Sequence, residues 1–314
     1  MTETRSLTDR VRAGHVPSIA RMISRVERGA DGVEDQMAEL YATVNDTHVI
    51  GLTGAPGSGK STVVYRLART FRRRHQTVGI VAVDPSSPFS GGSILGDRIR
   101  MNELGQDRDV FIRSMATRGA LGGLARTTVD AVTVLAAAGK SIVLIETVGA
   151  GQDEVDIVRA AHSTVVVSVP GMGDDVQAAK AGLLEIADVH LVNKADHDGA
   201  DRLVAQLKDM LRLAERDSEW VVPVHMTTAV TGDGVDDLAD LLEDHLSWLR
   251  KSGELQRRER HMAASRIRSI LLNLVLDQLD DPSASTDFDG LVTAVCERDR
   301  DPFSAARLLL DTKL

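Results

Sequence analysis

Short runs rich in β-branched residues alternate with helix-length stretches along the central part of the chain. Each run is almost continuously apolar, which is typical of parallel strands whose two faces are both buried. Because the intervening stretches are long enough for crossover helices, the pattern predicts an α/β fold with a doubly wound, mostly parallel sheet. The predicted strands are 47-THVIGLT, 77-TVGIVAVD, 110-VFIRS, 141-SIVLIET, 164-TVVVSVP, 188-DVHLVN and 221-VVPVH.

The two ends of the chain break this alternation. Charged, helix-favouring segments with an apolar face lie before the first strand and after the last, as in 18-SIARMISRVE and 266-RIRSILLNLVLDQL. We therefore expect an N-terminal helical extension over residues 1–45, a core domain over residues 46–250 and a C-terminal helical arm over residues 251–314. Within that arm, 280-DDPSAST is expected to form a turn or linker.

The composition argues against several classes of protein. A formal net charge of −9 over 314 residues disfavours a general nucleic-acid binder, which needs clustered Lys and Arg. The single cysteine, Cys296, excludes an internal disulfide and a cysteine-rich metal site, so we expect a packed thiol in a reducing, cytoplasmic compartment. No apolar run is long enough to span a bilayer and the start, MTETRSLTDR, lacks an apolar signal core, so no membrane association is expected.

A glycine-rich sequence lies between the first predicted strand and a helix that begins near Thr62. Gly54, Gly59, Lys60 and Ser61 complete the pattern G-x-x-x-x-G-K-S in the strand–loop–helix context that a phosphate-binding loop requires. The glycines allow backbone N–H groups to point at phosphates, the lysine reaches the β- and γ-oxygens, and the serine hydroxyl binds Mg²⁺. The alternative is a glycine-rich turn that binds no ligand. The other positions of the loop are Ala55, Pro56, Gly57 and Ser58.

Three carboxylates are candidates for the metal side of this site. Asp84 ends the second predicted strand and Glu146 ends the fourth, where a doubly wound sheet places its ligands, whereas Asp97 lies in a loop. An acid at the end of a strand can instead cap the following turn, and that alternative stays open. In 146-ETVG, Gly149 can offer its N–H to a γ-phosphate and move when that phosphate leaves.

The stretch 193-NKAD-196 predicts which base is bound. The carboxylate of Asp196 can accept the N1–H and the exocyclic amino hydrogens of guanine, whereas adenine presents a different pattern of donors. The alkyl chain of Lys194 can cover the base, and Asn193 can tie this segment to the phosphate loop. The sequence therefore predicts GTP and GDP as ligands, with Thr228 and Ala229 in 227-TTAV offering a backbone contact to the guanine oxygen. For that last contact, an ordinary loop after a strand is the alternative.

Residues 188-DVHLVN-193 partly match the D-x-H-x-x-G pattern through which some proteins donate a histidine to the cobalt of cobalamin. The final glycine is missing, and His190 lies inside an apolar strand. We therefore expect a half-buried strand histidine and not a metal ligand.

Further motifs occur in order along the chain, namely 84-DPSSP, 111-FIRSMATRG, 121-LGGL, 146-ETVGAGQDE, 170-PGMGDDVQ and 193-NKAD. With the phosphate loop, they resemble the MeaB/ArgK family of P-loop GTPases over essentially the whole chain. The resemblance implies a Mg²⁺-dependent enzyme that hydrolyses GTP to GDP and phosphate. It implies guanine recognition by Asn193, Lys194 and Asp196, and metal binding by Ser61, Asp84, Asp97 and Glu146. The residues assigned to catalysis are Lys60, Glu146, Gly149 and Lys180.

The same resemblance implies a protein partner. Members of the family include chaperones of adenosylcobalamin-dependent methylmalonyl-CoA mutase, which couple nucleotide state to cofactor loading and protection of the mutase. The loop of residues 171–180 would signal the nucleotide state, with Asp174, Gln177 and Lys180 as its polar residues. Family members form homodimers through the C-terminal arm, although the apolar face of 266-RIRSILLNLVLDQL can instead pack against its own domain.

Three other functions are compatible with a phosphate loop. A nickel-delivery GTPase should show a Cys- or His-rich motif, whereas this chain has one cysteine and scattered histidines. A targeting GTPase for membrane insertion needs a Met-rich or amphipathic signal-binding domain, whereas the nine methionines are dispersed. A transport-linked kinase or ATPase is disfavoured by the guanine-reading 193-NKAD.

Overall fold

A computed structural model describes residues 6–44, 46–84, 103–116, 126–147, 160–171, 184–213, 219–279 and 282–313 of the chain. In chain order its strands are β1 (His48–Thr53), β2 (Val78–Asp84), β3 (Val110–Ala116), β4 (Ile142–Glu146), β5 (Ser163–Ser168), β6 (Val189–Asn193) and β7 (Val224–Thr227). They form one parallel sheet in the order β3-β2-β4-β1-β5-β6-β7. The doubly wound α/β fold predicted from the sequence is confirmed.

Helices precede, separate and follow these strands along the chain. They are α1 (Leu7–Arg12), α2 (Val16–Arg28), α3 (Val33–Tyr41), α4 (Lys60–Arg73), α5 (Arg126–Ala137), α6 (Leu184–Ile186), α7 (Ala200–Leu213), α8 (Val235–Ser252), α9 (Glu254–Leu279), α10 (Pro282–Cys296) and α11 (Pro302–Lys313). Of the helices that the structure describes, none is both long enough and apolar enough to cross a membrane.

Successive strand residues pack on opposite faces of the sheet, as the pleat of a β-strand requires. On one face, Val49 and Ile145 join residues of α1, α2, α3 and α5 in one core. On the other face, Ile50 and Leu144 pack with residues of α4 and α8. The N-terminal helices are therefore part of the cover of the sheet, and α4, which carries the phosphate loop at its start, lies on the opposite face.

Two predicted element boundaries are wrong. The strand predicted at 221-VVPVH begins only at Val224, because Pro223 has no N–H to donate to a neighbouring strand and only its carbonyl pairs, with the N–H of His190. The turn predicted at 280-DDPSAST is largely helical, since α10 begins at Pro282. Proline is well tolerated at the first position of a helix, where the missing N–H would have no partner within the helix.

Two side chains lie in environments other than the expected ones. His190 is 1% exposed, because β6 pairs with strands on both edges, so this histidine is fully buried and not half-buried. Cys296 is exposed at the end of α10, so it is not a packed thiol. Both differences arise from strand order and helix position, which local sequence does not encode.

The chain divides into two compact units, Met1–Met262 and Ala263–Leu314. The first contains the whole sheet and the first turns of α9. The second contains the rest of α9 together with α10 and α11, which pack against each other. The second unit has many large apolar side chains that are exposed, namely Ile267, Leu271, Leu272, Leu274, Phe288, Val292, Phe303, Leu308 and Leu310. The domain boundaries expected after residues 45 and 250 stay predictions.

Candidate nucleotide site

The phosphate loop joins the end of the central strand β1 to the start of α4. Gly54 has a φ of 138°, and a Cβ atom there would lie 2.1 Å from the carbonyl oxygen of Val167 in β5. Gly59 has a φ of 89°, and its Cβ would lie 2.5 Å from Nδ2 of Asn193. Both positions therefore require glycine, for the backbone conformation and for the close approach of β5 and β6.

Lys60 is the first residue of α4, and its ammonium group lies against the loop. Its Nζ donates hydrogen bonds to the carbonyl oxygens of Gly54, at 2.7 Å, and Ala55, at 2.9 Å. The residue is only 5% exposed. The positive charge is therefore held at the phosphate loop, which is where a lysine that reaches β- and γ-phosphates must be.

Ser61 and Glu146 bring two oxygen donors together beside this loop. Glu146 ends β4, the neighbour of β1, and Ser61 lies in the first turn of α4. The hydroxyl of Ser61 donates a hydrogen bond to Oε1 of Glu146 at 2.5 Å. Hydroxyl and carboxylate oxygens are ligands that Mg²⁺ prefers, usually in combination with phosphates of the substrate. The chemistry and the position of this pair therefore fit a magnesium ion.

Asn193 connects three segments of the site. Its Nδ2 donates to the carbonyl oxygen of Ser58 in the phosphate loop at 2.8 Å. Its Oδ1 accepts from the N–H of Ala229 at 3.1 Å and from the hydroxyl of Thr227 at 3.2 Å. The amide is 3% exposed, and its position at the end of β6 places it between the phosphate loop and the segment after β7.

Lys194 and Asp196 follow on the solvent side. Lys194 has a φ of 56°, and its Nζ donates to the carbonyl oxygen of Gly57 at 3.0 Å, so its side chain crosses from β6 to the phosphate loop. The N–H of Ala195 donates to the carbonyl oxygen of Thr227 at 3.0 Å, which fixes the backbone between the two. The side chain of Asp196 is 58% exposed and is thus accessible to a ligand.

The segment after β7 forms a closed turn over residues 228–233, here named the 228–233 loop. The N–H of Thr228 donates to the carbonyl oxygen of Asp233 at 3.0 Å, and the N–H of Ala229 donates to Asn193. Both amides that were expected to contact the guanine oxygen thus have acceptors within the protein. The backbone contact from this segment to guanine stays a prediction.

The structure describes some of the remaining predicted site residues and not others. Asp97, Gly149 and Lys180 lie outside the described residues, as do Asp174 and Gln177. The backbone of Asp84 ends β2, two positions beyond the residue that pairs with Glu146, and its side chain lies outside the described part. Within the phosphate loop and the start of α4, Pro56 and Gly57 are exposed, Ser58 is buried and Thr62 is half-buried.

Two residues that contact the site carried no signal in the sequence. The N–H of Thr147, directly after β4, donates to the carbonyl oxygen of Leu52 in β1 at 3.1 Å. Arg66, in the second turn of α4, donates to the carbonyl oxygens of Ala229 and Val230. The partners of both residues lie far away along the chain, so no local pattern marks either contact.

A phosphate loop after the central strand, a Ser–Glu pair beside it and an N-K-x-D segment bonded to it define a P-loop GTPase. A sequence profile of the family described as Methylmalonyl Co-A mutase-associated GTPase MeaB matches residues 19–284. The chain therefore belongs to the MeaB family, and it binds and hydrolyses GTP.

Individual relatives agree with this assignment. A relative from Pyrococcus horikoshii, whose name gives GTPase as a provisional assignment, is 41% identical over 308 residues, which are 97% of this chain and 96% of the relative. The GTPase ArgK of Escherichia coli is 33% identical over 289 residues, 89% of this chain and 86% of its own. The mouse mitochondrial methylmalonic aciduria type A homolog is 38% identical over 213 residues, 67% of this chain and 51% of its own.

Solved structures share the architecture. The crystal structure of a LAO/AO transport system kinase has a TM-score of 0.72 at 22% identity, with coverage of 98% of this chain and 96% of that one. HypB from Helicobacter pylori in complex with nickel has a TM-score of 0.50 at 19% identity, with coverage of 70% and 95%. At such identities the likeness shows the fold alone.

Proposed function

We propose that this GTPase is a chaperone of an adenosylcobalamin-dependent methylmalonyl-CoA mutase and couples its nucleotide state to cofactor loading and protection of that enzyme. The observation that carries the proposal is the family match over residues 19–284, because the description of the family names the mutase. The mouse relative, whose name refers to methylmalonic aciduria, supports it.

The proposed roles at the phosphates follow from the contacts of the phosphate loop. Lys60 compensates charge on the β- and γ-phosphate oxygens, for which its ammonium is already held at the loop. Ser61 and Glu146 would hold Mg²⁺, with Asp84 and Asp97 as further candidates from the sequence. A bound Mg²⁺ supplies charge neutralisation of the phosphates. Gly149 offers its N–H to the γ-phosphate and thereby responds to hydrolysis.

Guanine recognition is proposed for the segment after β6. Asp196 accepts the N1–H and amino hydrogens of the base, and the alkyl chain of Lys194 covers its face. Asn193 hydrogen-bonds both the phosphate loop and the 228–233 loop. Phosphate contacts and base contacts thus belong to one hydrogen-bonded unit, so a nucleotide engages both without separate ordering of each segment.

Coupling to the mutase requires a difference in affinity between nucleotide states. The mutase must bind the GTP or the GDP form more tightly, because a partner with equal affinity for both cannot be biased by hydrolysis. The loop of residues 171–180 is proposed to make this contact, with Asp174, Gln177 and Lys180 as its polar residues. A GTPase whose site is completed by its partner turns over slowly alone, which suits a switch.

A homodimer is proposed from the second compact unit. Ile267, Leu271 and Leu274 lie on one face of α9, at the i, i+4, i+7 spacing of a helix, and are 66%, 56% and 48% exposed. A stripe of large apolar side chains in contact with water is unfavourable, and a second copy of the same surface can cover it.

The proposed chaperone role is tested with methylmalonyl-CoA mutase from the same organism. We expect the mutase to accelerate GTP turnover, and we expect adenosylcobalamin loading of the mutase to differ among GTP, GDP and no nucleotide. Lys180→Ala should reduce the acceleration more than it reduces nucleotide affinity, whereas Lys208→Ala, which removes an exposed lysine of α7, should behave as the wild type. Unchanged turnover and loading in every combination would refute the chaperone role and leave a GTPase with another client.

A further inference from the structure

Arg66 links the helix of the phosphate loop to the 228–233 loop. Its Nε donates to the carbonyl oxygen of Ala229 at 3.0 Å, and its Nη2 donates to the carbonyl oxygen of Val230. Among the residues that the structure describes, no carboxylate lies within ion-pair distance of this half-buried guanidinium. Its charge is directed at two adjacent carbonyls, and hydrogen bonds from a charged donor are stronger than neutral ones.

The backbone of Ala229 is held from both sides. Asn193 accepts its N–H at 3.1 Å, and Arg66 donates to its carbonyl oxygen. Because peptide groups are planar, fixing the N–H and the C=O of one residue fixes the orientation of the two peptide planes that meet there. Ala229 is 2% exposed, so its own N–H and C=O groups are largely shielded from water.

The rest of the 228–233 loop is closed on itself. The N–H of Gly232 donates to the carbonyl oxygen of Thr228 at 2.9 Å, and the N–H of Thr228 donates to Asp233 at 3.0 Å. Gly232 has a φ of 99°, and a Cβ there would lie 3.7 Å from Nη1 of Arg66, so the guanidinium packs directly against the turn. The turn therefore has a defined shape of its own, and Asn193 and Arg66 tie it to β6 and to α4.

We propose that Arg66 is a positioning residue for base recognition, which holds the 228–233 loop beside the position of the 6-oxygen of guanine before the nucleotide arrives. This inference rests on the proposed guanine site, in which Asp196 reads N1–H and the 2-amino group and the 228–233 loop meets the 6-oxygen. The loop is next to that site because Thr227, the last residue of β7, pairs with Asn193 at the end of β6.

Without Arg66, the 228–233 loop should become ordered only when a nucleotide binds. The cost of that ordering should lower the affinity for nucleotides that contact the loop. GDP and IDP both carry the 6-oxygen, so Arg66→Ala should weaken both by the same factor and leave their ratio unchanged. ADP has an amino group at that position and makes no such contact, so its affinity should stay constant. The preference for GDP over ADP should fall by about tenfold, the scale of one charged hydrogen bond.

The experiment measures dissociation constants of GDP, IDP and ADP for the full chain and for Arg66→Ala, Arg66→Lys and Arg69→Ala. Arg69 is the matched control, because it lies one turn further along α4, is exposed and donates to Tyr65 in its own helix at 3.2 Å. Arg69→Ala should leave all three dissociation constants unchanged. Arg66→Lys keeps the charge and should recover part of the preference for GDP, which also covers the case in which Arg66→Ala does not fold.

The outcomes separate this inference from the proposed guanine site. A wild-type ratio of GDP to ADP affinity in folded Arg66→Ala, or in folded Arg66→Lys if alanine is not tolerated, overturns the positioning role. A uniform loss for all three nucleotides also overturns it, since that is the signature of a general structural defect. Asp196→Asn tests the site itself, because the new amide can donate to the second carbonyl of xanthine and should shift the preference from GDP to XDP. No such shift, or no preference for GDP in the wild type, overturns both proposals.

Discussion

Asn193 illustrates how single side chains determine the geometry of the nucleotide site. Its buried amide donates to the carbonyl oxygen of Ser58 and accepts from Thr227 and Ala229, so both polar atoms are bonded. A carboxylate of the same size would place an acceptor against the carbonyl of Ser58 and would leave a buried polar group without a donor. Gly59 completes the contact, since only the absence of a Cβ atom lets the amide approach the loop.

The first prediction at this scale concerns Lys60. Lys60→Ala should lower GTP turnover by about 10² to 10³-fold, because it removes a fixed positive charge from the phosphate site. The fold should persist despite the burial of this side chain, since the two acceptors that the structure describes for it are carbonyls of the phosphate loop and not groups of the core. Single-turnover hydrolysis gives the rate, and the thermal midpoint without nucleotide is the control. A variant with normal turnover would show that Lys60 does not serve the phosphates.

Among the secondary-structure elements, β1, β5 and α8 share a buried polar network. It lies at the amino ends of these strands, whereas the phosphate loop follows the carboxyl end of β1. The hydroxyl of Ser163 lies 2.7 Å from Nε2 of His48 and 2.8 Å from Nδ1 of His245. A hydroxyl has one proton, so Ser163 donates to one histidine and accepts from the other. Nε2 of His245 lies 3.5 Å from Asp188, which favours its proton there and makes Nδ1 the acceptor. The order Asp–His–Ser matches a hydrolase triad, but Ser163 and His245 are 0% exposed, so its role is structural.

The same network attaches the start of α9 to the sheet. Arg258 in α9 donates to both carboxylate oxygens of Asp188, at 2.8 Å and 2.7 Å, and to the carbonyl oxygen of His162 at 2.8 Å. The backbone carbonyl of Asp188, directly before β6, accepts from the indole N–H of Trp220 at 2.9 Å. A bidentate arginine–carboxylate pair that is mostly shielded from water fixes this helix turn more firmly than a surface pair.

These buried histidines predict a dependence of stability on pH. Burial lowers the pKa of His245 to about 4, although Asp188 opposes the shift, and burial also lowers the pKa of His48 well below its usual value. In the unfolded chain a histidine titrates near pH 6.5. Between these two values the unfolded state binds protons that the folded state does not, so stability is fully present above about pH 6.5 and falls as the pH decreases towards 4. For His245 the loss should reach about 3 kcal/mol near pH 4.

Urea unfolding at a series of pH values measures this effect. Trp220 and Trp248, the two tryptophans of the chain, report it directly, because their ring centroids lie 4.7 Å and 5.8 Å from that of His245. His245→Gln removes one titrating group and should make the fall in the free energy of unfolding between pH 6.5 and 4.5 shallower than in the wild type. Equal slopes for the two proteins would contradict the assignment of a neutral, buried His245.

For the molecule as a whole, the two compact units predict separable roles. Deletion of Ala263–Leu314 removes the exposed apolar stripe of α9. It keeps the ion pair between Arg258 and Asp188. We expect the full chain to be a dimer by light scattering at micromolar concentration, and the shortened chain to be a monomer with the same affinity for GDP. Leu271→Glu in the full chain is the matched variant, since it places a charge in the stripe without shortening the protein. A monomeric full chain would count against the proposed dimer.

The sequence by itself determined those features of this protein that depend on local patterns of residues. The strand positions followed from continuous β-branched runs, and the phosphate loop and 193-NKAD followed from residue types at fixed spacing. These features depend only on residues that are close together in the sequence, so they can be predicted before the fold is known. Where a proline altered the local rule, as at Pro223 and Pro282, the predicted boundary was wrong.

The tertiary structure alone decided which distant residues meet. The alternation of strands and helices in the sequence does not give the order of the strands in the sheet. The order β4-β1-β5-β6-β7 places Glu146 beside Ser61 and Asn193 beside the phosphate loop. Strand order also encloses His190, and the packing of α4 brings Arg66 to the 228–233 loop. Each of these contacts joins segments that are far apart in sequence, and the free energy that selects them comes from burying the two faces of the sheet as a whole.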